Sequence, residues 1–173
     1  MTLIDQFRNI NTFVFDVDGV LTDGMVYVFD NGEQVRKMSI KDGFALQLAI
    51  RKGYRVLVIS GGQSSAVASR LRKLGISDVF MGITDKRAIL LEYMSSRSIS
   101  REEVLFMGDD IPDFMAMKEA GIPSAPADAR PEIIRQATYI SMYQGGNGCV
   151  RDVIEKVLKL NGHWELDTDI ASQ

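Results

Sequence analysis

The 173-residue chain predicts an α/β fold, a mostly parallel sheet with helices on both faces. Three observations predict it. Short apolar runs alternate with longer amphipathic stretches along the chain. Three of those stretches stop at a glycine, Gly53, Gly75 and Gly121, where a helix C-terminus favours one. Clusters of Asp, Ser and Gly follow the apolar runs, as residues do at the carboxyl ends of parallel strands. The length suits one domain over residues 1–173, and 46% hydrophobic residues suffice for a core without disulfide staples.

Taken in order, Thr12-Phe13-Val14-Phe15 is the first strand, too short and too apolar for anything but a buried one. Residues 25–39 predict a hairpin, with strands Met25–Phe29 and Glu33–Ser39 around Asp30-Asn31-Gly32, since Asn-Gly is a strong turn signal. A helix at about 43–52 leads to a strand at Arg55–Ile59, and a helix at about 64–74 leads to Val79-Phe80-Met81. A helix at about 86–97, the strand Val104–Met107, a helix at about 113–120 and a last helix at about 149–160 follow. The tail 163–173 is polar and aperiodic, and disorder is the default expectation for it.

Inventory excludes several functions. A lone cysteine, Cys149, forms no intrachain bridge and fits a reducing compartment. A net charge of −3 without a basic stretch argues against a nucleic-acid partner. No apolar run approaches the length of a membrane span, and Met1–Arg8 lacks the order of a signal peptide, so a cytoplasmic protein without a membrane partner is expected. His163 is the only histidine and lies in the tail, which removes a histidine triad or a zinc site. There is no Walker A motif.

The strand ends carry the chemistry. The first strand delivers Asp16-Val17-Asp18-Gly19, the second Ser60-Gly61-Gly62, and the fourth Gly108-Asp109-Asp110 with Asp113 beyond. Lys86 opens the helix after the third strand. Carboxylates gathered in this way repel one another unless a cation sits among them, and an oxygen-only donor set suits Mg²⁺. Asp16 and Asp18, two apart on extended chain, suit a nucleophile and a proton-transfer partner. Lys86 in a first helical turn opposes the helix dipole by about 0.3–1 kcal/mol, a sign that a nearby anion would reverse. Taken singly, each Asp is as well explained as a turn former and Lys86 as a surface lysine. Their shared order and strand-end placement carry the inference.

Phe15-Asp16-Val17-Asp18-Gly19-Val20-Leu21-Thr22-Asp23-Gly24 resembles the first motif of haloacid-dehalogenase-superfamily phosphatases. Ser60, Lys86 and Gly108-Asp109-Asp110-Ile111-Pro112-Asp113 resemble the second, third and fourth, in order. The loop Ser39-Ile40-Lys41-Asp42-Gly43 and the late Gly145-Gly146-Asn147-Gly148-Cys149-Val150-Arg151 narrow the likeness to the 3-deoxy-D-manno-octulosonate (KDO) 8-phosphate phosphatase subfamily of lipopolysaccharide synthesis. The resemblance implies a three-layer Rossmann-like fold and a Mg²⁺-dependent phosphomonoesterase acting on a sugar-acid phosphate. It implies Asp16 as nucleophile, Asp18 as general acid/base, and Mg²⁺ on the Asp16 side chain, the Asp18 carbonyl and Asp109. Ser60 and Lys86 would hold the phosphoryl group, Asp110 and Asp113 would orient metal waters, and Asp18, Ser39, Ile40, Lys41, Asp42, Gly43, Gly61, Arg70 and Lys86 would meet substrate. Arg70 could pair with the sugar-acid carboxylate. Related enzymes often carry Arg where this chain has Gly62 and Gln47, and the subfamily includes phosphatases of nine-carbon sialic-acid-type 9-phosphates, so both substrate lengths stay open.

Asp16 and Ser60 are 44 positions apart and Ser60 and Lys86 are 26 apart, too close for an inserted cap domain. The hairpin and a neighbouring subunit are then the expected cover, and the resemblance implies a homotetramer. A receiver-like signalling domain and a catalytically silent paralogue remain as alternatives of another class. Receivers usually keep their acidic pair and phosphorylated Asp on separate strands, and a silent paralogue need not retain all five of Asp16, Asp18, Ser60, Lys86 and Asp109.

Overall fold

The structure, a computed structural model, describes residues 2–173. Its six-stranded sheet is parallel throughout, and β1 (Thr12–Phe15) lies inside it. On one side of β1 lie β4 (Arg55–Ile59) and then β5 (Asp78–Phe80). On the other lie β6 (Val104–Met107), β7 (Ile122–Ala125) and β8 (Tyr139–Ile140). The chain thus winds outward from β1, returns beside it and winds away again, which makes the C-terminal end of β1 the switch point where such sheets bind ligands.

Alternation along the strands divides the core. Phe13, Phe15, Val56, Val58, Leu105 and Met107 face one layer, while Val14, Leu57, Ile59, Val104 and Phe106 face the other. The first layer holds α1 (Leu3–Asn9), α2 (Ile40–Arg51), α3 (Ser65–Lys73) and α7 (Cys149–Leu160). The second holds α4 (Lys86–Ser96), α5 (Phe114–Met117) and α6 (Pro131–Gln136). The three-layer expectation holds.

Several boundaries differ from the sequence expectation. Ser39 accepts the Asp42 N–H at 3.2 Å and so starts α2 at Ile40, three residues early. The expected helix at 113–120 is a 3-10 turn, Ile111–Asp113, followed by the one-turn α5. β7 reads Ile-Pro-Ser-Ala, and its proline masks a strand that backbone pairing with β6 nonetheless forms. The helices α1 and α6 and the strand β8 also carried no clear period. The hairpin is present but short, with only β2 (Tyr27–Val28) and β3 (Gln34–Val35) paired. Gly32, at φ +84°, makes its turn. A bridge between Thr22 and Met38 closes its base, and no core layer lies under it to extend the ladder.

The tail overturns the expectation of disorder. Trp164 meets the ring of Phe44 edge-on at 6.1 Å, and Ile170 is buried. The His163 ring bonds the Tyr54 hydroxyl at 2.9 Å, and Lys52 and Arg51 pair with Glu165 at 2.7 Å and Asp167 at 3.1 Å. Two apolar anchors spaced among acidic residues match a basic helix end, a complementarity that helical or strand periodicity does not register. Deleting residues 163–173 should lower stability by about 1–3 kcal/mol, from the apolar area of Trp164 and Ile170, read as a lower urea midpoint with unchanged far-UV circular dichroism. An unchanged midpoint would show that the docking adds nothing.

Candidate active site

The loop after β1 is a tight turn, Val17–Leu21, with Gly19 at φ +89°. A Cβ on Gly19 would lie 2.0 Å from Asp109 Oδ2, so only glycine lets this turn approach the end of β6. The late glycines press on the same turn from behind. A Cβ on Gly145 would meet the Gly19 carbonyl oxygen at 2.0 Å, and Gly146 N–H donates to the Val20 carbonyl at 2.9 Å. The sequence feature 145–151 therefore shapes the site through backbone packing.

Asp16 closes β1, and its Oδ1 accepts the Val17 N–H at 2.7 Å. Lys86 brings its ammonium to that oxygen at 2.8 Å and to Asp113 Oδ1 at 2.6 Å. All three side chains are buried. Asp113 Oδ2 in turn accepts the N–H of Asp109 at 3.0 Å, tying the ammonium to the backbone after β6. The anion that the N-terminal lysine called for is thus a pair of carboxylates.

Oxygens of Asp16, Asp109 and Asp113 lie within 4.8 Å of one another. Burial pushes the Asp16 carboxyl up to about 7, with the Asp113 charge adding to it and Lys86 opposing. Burial pushes Asp109 up to about 8, helped by Asp16, Asp113 and Asp110. Burial works against the Lys86 charge, but Asp16 and Asp113 outweigh it and its pKa is raised. One lysine does not satisfy three carboxylates, and Asp109 Oδ1 is buried without a hydrogen-bond partner. Both Asp113 oxygens are engaged, whereas Asp109 keeps an orphaned one. A hard divalent cation on Asp16 and Asp109 fits this donor set.

The other expected residues fall into separate groups. Ser60, buried after β4, accepts the Gly62 N–H at 3.1 Å. Asp18 is half-buried and is held by Arg36 from β3's end of the hairpin, Nε to Oδ1 at 2.6 Å. Asp110 caps the 3-10 turn through the Ile111 N–H at 2.8 Å. Ser39, Ile40 and Lys41 line a cleft of about 860 Å³, together with Gly148 and Arg151. That cleft does not include the carboxylate cluster; the cluster's charge and burial, not cleft size, mark the chemistry. The Asp42 carboxylate accepts the Arg151 N–H at 2.9 Å at the start of α7, and burial raises it to about 6. Arg70 donates to the Gln173 backbone oxygen at 2.7 Å, beside Gly43, and Gln47 donates to Ala171 at 3.1 Å, so the tail takes up both side chains. Sequence reasoning missed Arg36. A basic residue in a hairpin otherwise exposed carries no motif, and its partner is 18 positions away.

Comparison with known proteins decides the family. The profile of haloacid dehalogenase-like hydrolases matches residues 42–127. The 3-deoxy-D-manno-octulosonate 8-phosphate phosphatase of Escherichia coli K12 is 33% identical over 160 residues, 92% of this chain and 85% of that protein. The chain belongs to this phosphatase family. The crystal structure of the Yersinia pestis phosphatase superposes with a TM-score of 0.90 at 30% identity, covering 93% of this chain and 87% of that one. The Moraxella catarrhalis phosphatase, solved with magnesium, phosphate and KDO, gives 0.87 at 32% identity, covering 91% and 90%.

Asp16 and Asp109 bind protons more tightly folded than unfolded, where the value is 3.8. Without a cation, their contribution to stability is therefore lost as pH rises from about 4 to about 8. A cation replaces those protons, so its stabilisation grows over the same window. Excess Mg²⁺ should raise the melting temperature more at pH 8 than at pH 5.5; an equal gain at both would contradict the clustering. Replacing Lys86 by Met should destabilise the cation-free protein at pH 8 by about 3–5 kcal/mol, because two buried carboxylates lose their counter-charge, as measured by urea denaturation.

Proposed function

We propose that this chain is a Mg²⁺-dependent phosphomonoesterase that hydrolyses 3-deoxy-D-manno-octulosonate 8-phosphate to KDO and phosphate through an aspartyl-phosphate on Asp16. One observation carries the reading: a buried carboxylate at the switch point, paired with Lys86 and crowded by Asp109 and Asp113. The relatives named above supply the substrate class, and the Moraxella protein is a structure with magnesium, phosphate and KDO together.

Asp16 is oriented by the Val17 N–H and Lys86 at its Oδ1, and one of its carboxylate oxygens attacks phosphorus. The Asp16 O–P bond forms as the ester P–O bond breaks, and Asp18 gives a proton to the departing sugar oxygen. Asp18 then takes a proton from water, whose oxygen bonds to phosphorus as the Asp16–P bond breaks. Lys86 offsets charge on Asp16 and on the phosphoryl oxygens, and Ser60 holds one of those oxygens. Mg²⁺ on Asp16, the Asp18 carbonyl and Asp109 would neutralise the charge that lets two anions approach. Asp113, with both oxygens engaged, and Asp110 would orient water around it.

We also assign Ser39, Ile40, Lys41, Asp42, Gly43 and Gly61 to the substrate side, with Asp42 acting by holding the loop to α7, and Arg70 as well, which would exchange the Gln173 oxygen for a substrate carboxylate. Met25, Tyr27 and Val28 on the hairpin are largely exposed. Such a surface suits a subunit contact, and a homotetramer would cover the site in place of a cap. Among the described residues no helix is long and apolar enough to cross a membrane.

Incubation with eight- and nine-carbon keto-sugar-acid phosphates and Mg²⁺ should release phosphate, faster from the eight-carbon ester, with activity lost in chelator. Faster release from the nine-carbon ester would reassign the substrate, and no release from either would sink the reading. Asp16→Asn should lower kcat by a factor on the order of 10³ or more with the fold intact. Light scattering should give four chains; a fully active monomer would remove the tetramer.

A further inference from the structure

We propose that Arg36 is a phosphoryl-binding residue carried into the site by the hairpin; this deepens the phosphatase reading above and rests on it. The Arg36 side chain is only 7% exposed, although Lys37 next to it is 70% exposed. Its guanidinium meets Asp18 side-on, through Nε at 2.6 Å and Nη2 at 3.3 Å. That geometry leaves the end-on edge, Nη1 and the second hydrogen of Nη2, for another acceptor. Nη1 is buried and has no hydrogen-bond partner. A charged donor buried without an acceptor is costly, and an oxyanion would satisfy it.

The location identifies the oxyanion. A Cβ placed on Gly62 would lie 3.0 Å from Asp18 Oδ2, 3.3 Å from Arg36 Nη2 and 3.6 Å from Ser60 Oγ. The guanidinium, the proton-transfer carboxylate and the hydroxyl assigned to the phosphoryl group therefore converge on one point. Glycine at 62 leaves that point empty of side chain. Arg36 is thus placed where the phosphoryl group would sit between Ser60 and Asp18, and its charge would add to that of Lys86 on the opposite carboxylate. Since Arg36 rides on the hairpin, its pairing with Asp18 also fixes the hairpin over the site.

The test compares wild type, Arg36→Met, Arg36→Lys and Gly62→Ala, with folding checked by near-UV circular dichroism. Binding of inorganic phosphate in the presence of Mg²⁺ is measured by calorimetry. kcat and KM are measured on p-nitrophenyl phosphate and on the sugar-acid phosphate. Arg36→Met should weaken phosphate binding at least tenfold and lower kcat/KM at least tenfold on both esters, with Arg36→Lys recovering part of each. Gly62→Ala, which crowds the guanidinium without removing it, should weaken phosphate binding too, so the proposal stays testable even if Arg36→Met does not fold. Unchanged phosphate binding in Arg36→Met and Gly62→Ala would overturn it, leaving Arg36 as a fastener for the hairpin. A loss confined to the sugar-acid ester would also overturn it, because the guanidinium would then read the sugar. If wild type hydrolyses neither ester yet binds phosphate in an Arg36-dependent way, the phosphatase reading fails and the Arg36 assignment stands.

Discussion

The ammonium of Lys86, buried between Asp16 and Asp113, is the interaction on which the rest of the site depends. It draws together three separate parts of the chain: the end of β1, the start of α4 and the turn after β6. Each carboxylate would be costly to bury alone, and the lysine would be disfavoured in the first turn of a helix without them. The group is stable only as a set. Because Asp113 also accepts the Asp109 N–H, the same set fixes the backbone that presents Asp109. The pairing still leaves an excess of negative charge, and the orphaned Asp109 oxygen is where that excess shows.

The sheet makes this set possible. Parallel strands all release their C-terminal residues at one edge, and the reversal of winding at β1 opens a gap between the diverging connections there. Backbone proximity then does what side chains could not. Gly19 admits Asp109, and Gly145 packs against the Gly19 carbonyl, so the turn bearing Asp18 is pressed between β6 and the start of α7. Asp42 reinforces this from α2 by accepting the Arg151 N–H. The start of α2 and the turn after β1 are thereby fastened to one helix, α7, although they are far apart in sequence.

The hairpin and tail follow a different logic. The hairpin is exposed and the tail reaches the core only through Trp164 and Ile170, so each is fixed by a few specific contacts. Arg36 fastens the hairpin through Asp18, while Trp164, Ile170 and acidic or backbone acceptors at Glu165, Asp167, Asp169, Ala171 and Gln173 fasten the tail to α2 and α3.

By itself the sequence determined the alternation of strands and helices, the four strand-end clusters, and hence the phosphatase family. Those features are local: a strand's apolar run, a glycine that ends a helix, an Asp two residues from another. Asp16, Asp18, Ser60, Lys86 and Asp109 were legible because each belongs to a motif read along the chain. Tertiary structure alone decided how they pair. It gave Lys86 two carboxylates instead of one, engaged both oxygens of Asp113, turned Asp42 toward α7, and bound Arg70 to the tail. It also exposed Arg36, β7 and the docked tail. Their signals are a lone guanidinium, a proline-containing strand and two spaced apolar residues, and each takes its meaning from a partner distant in sequence. Pairwise burial and charge depend on positions in space, and no periodicity along the chain encodes them.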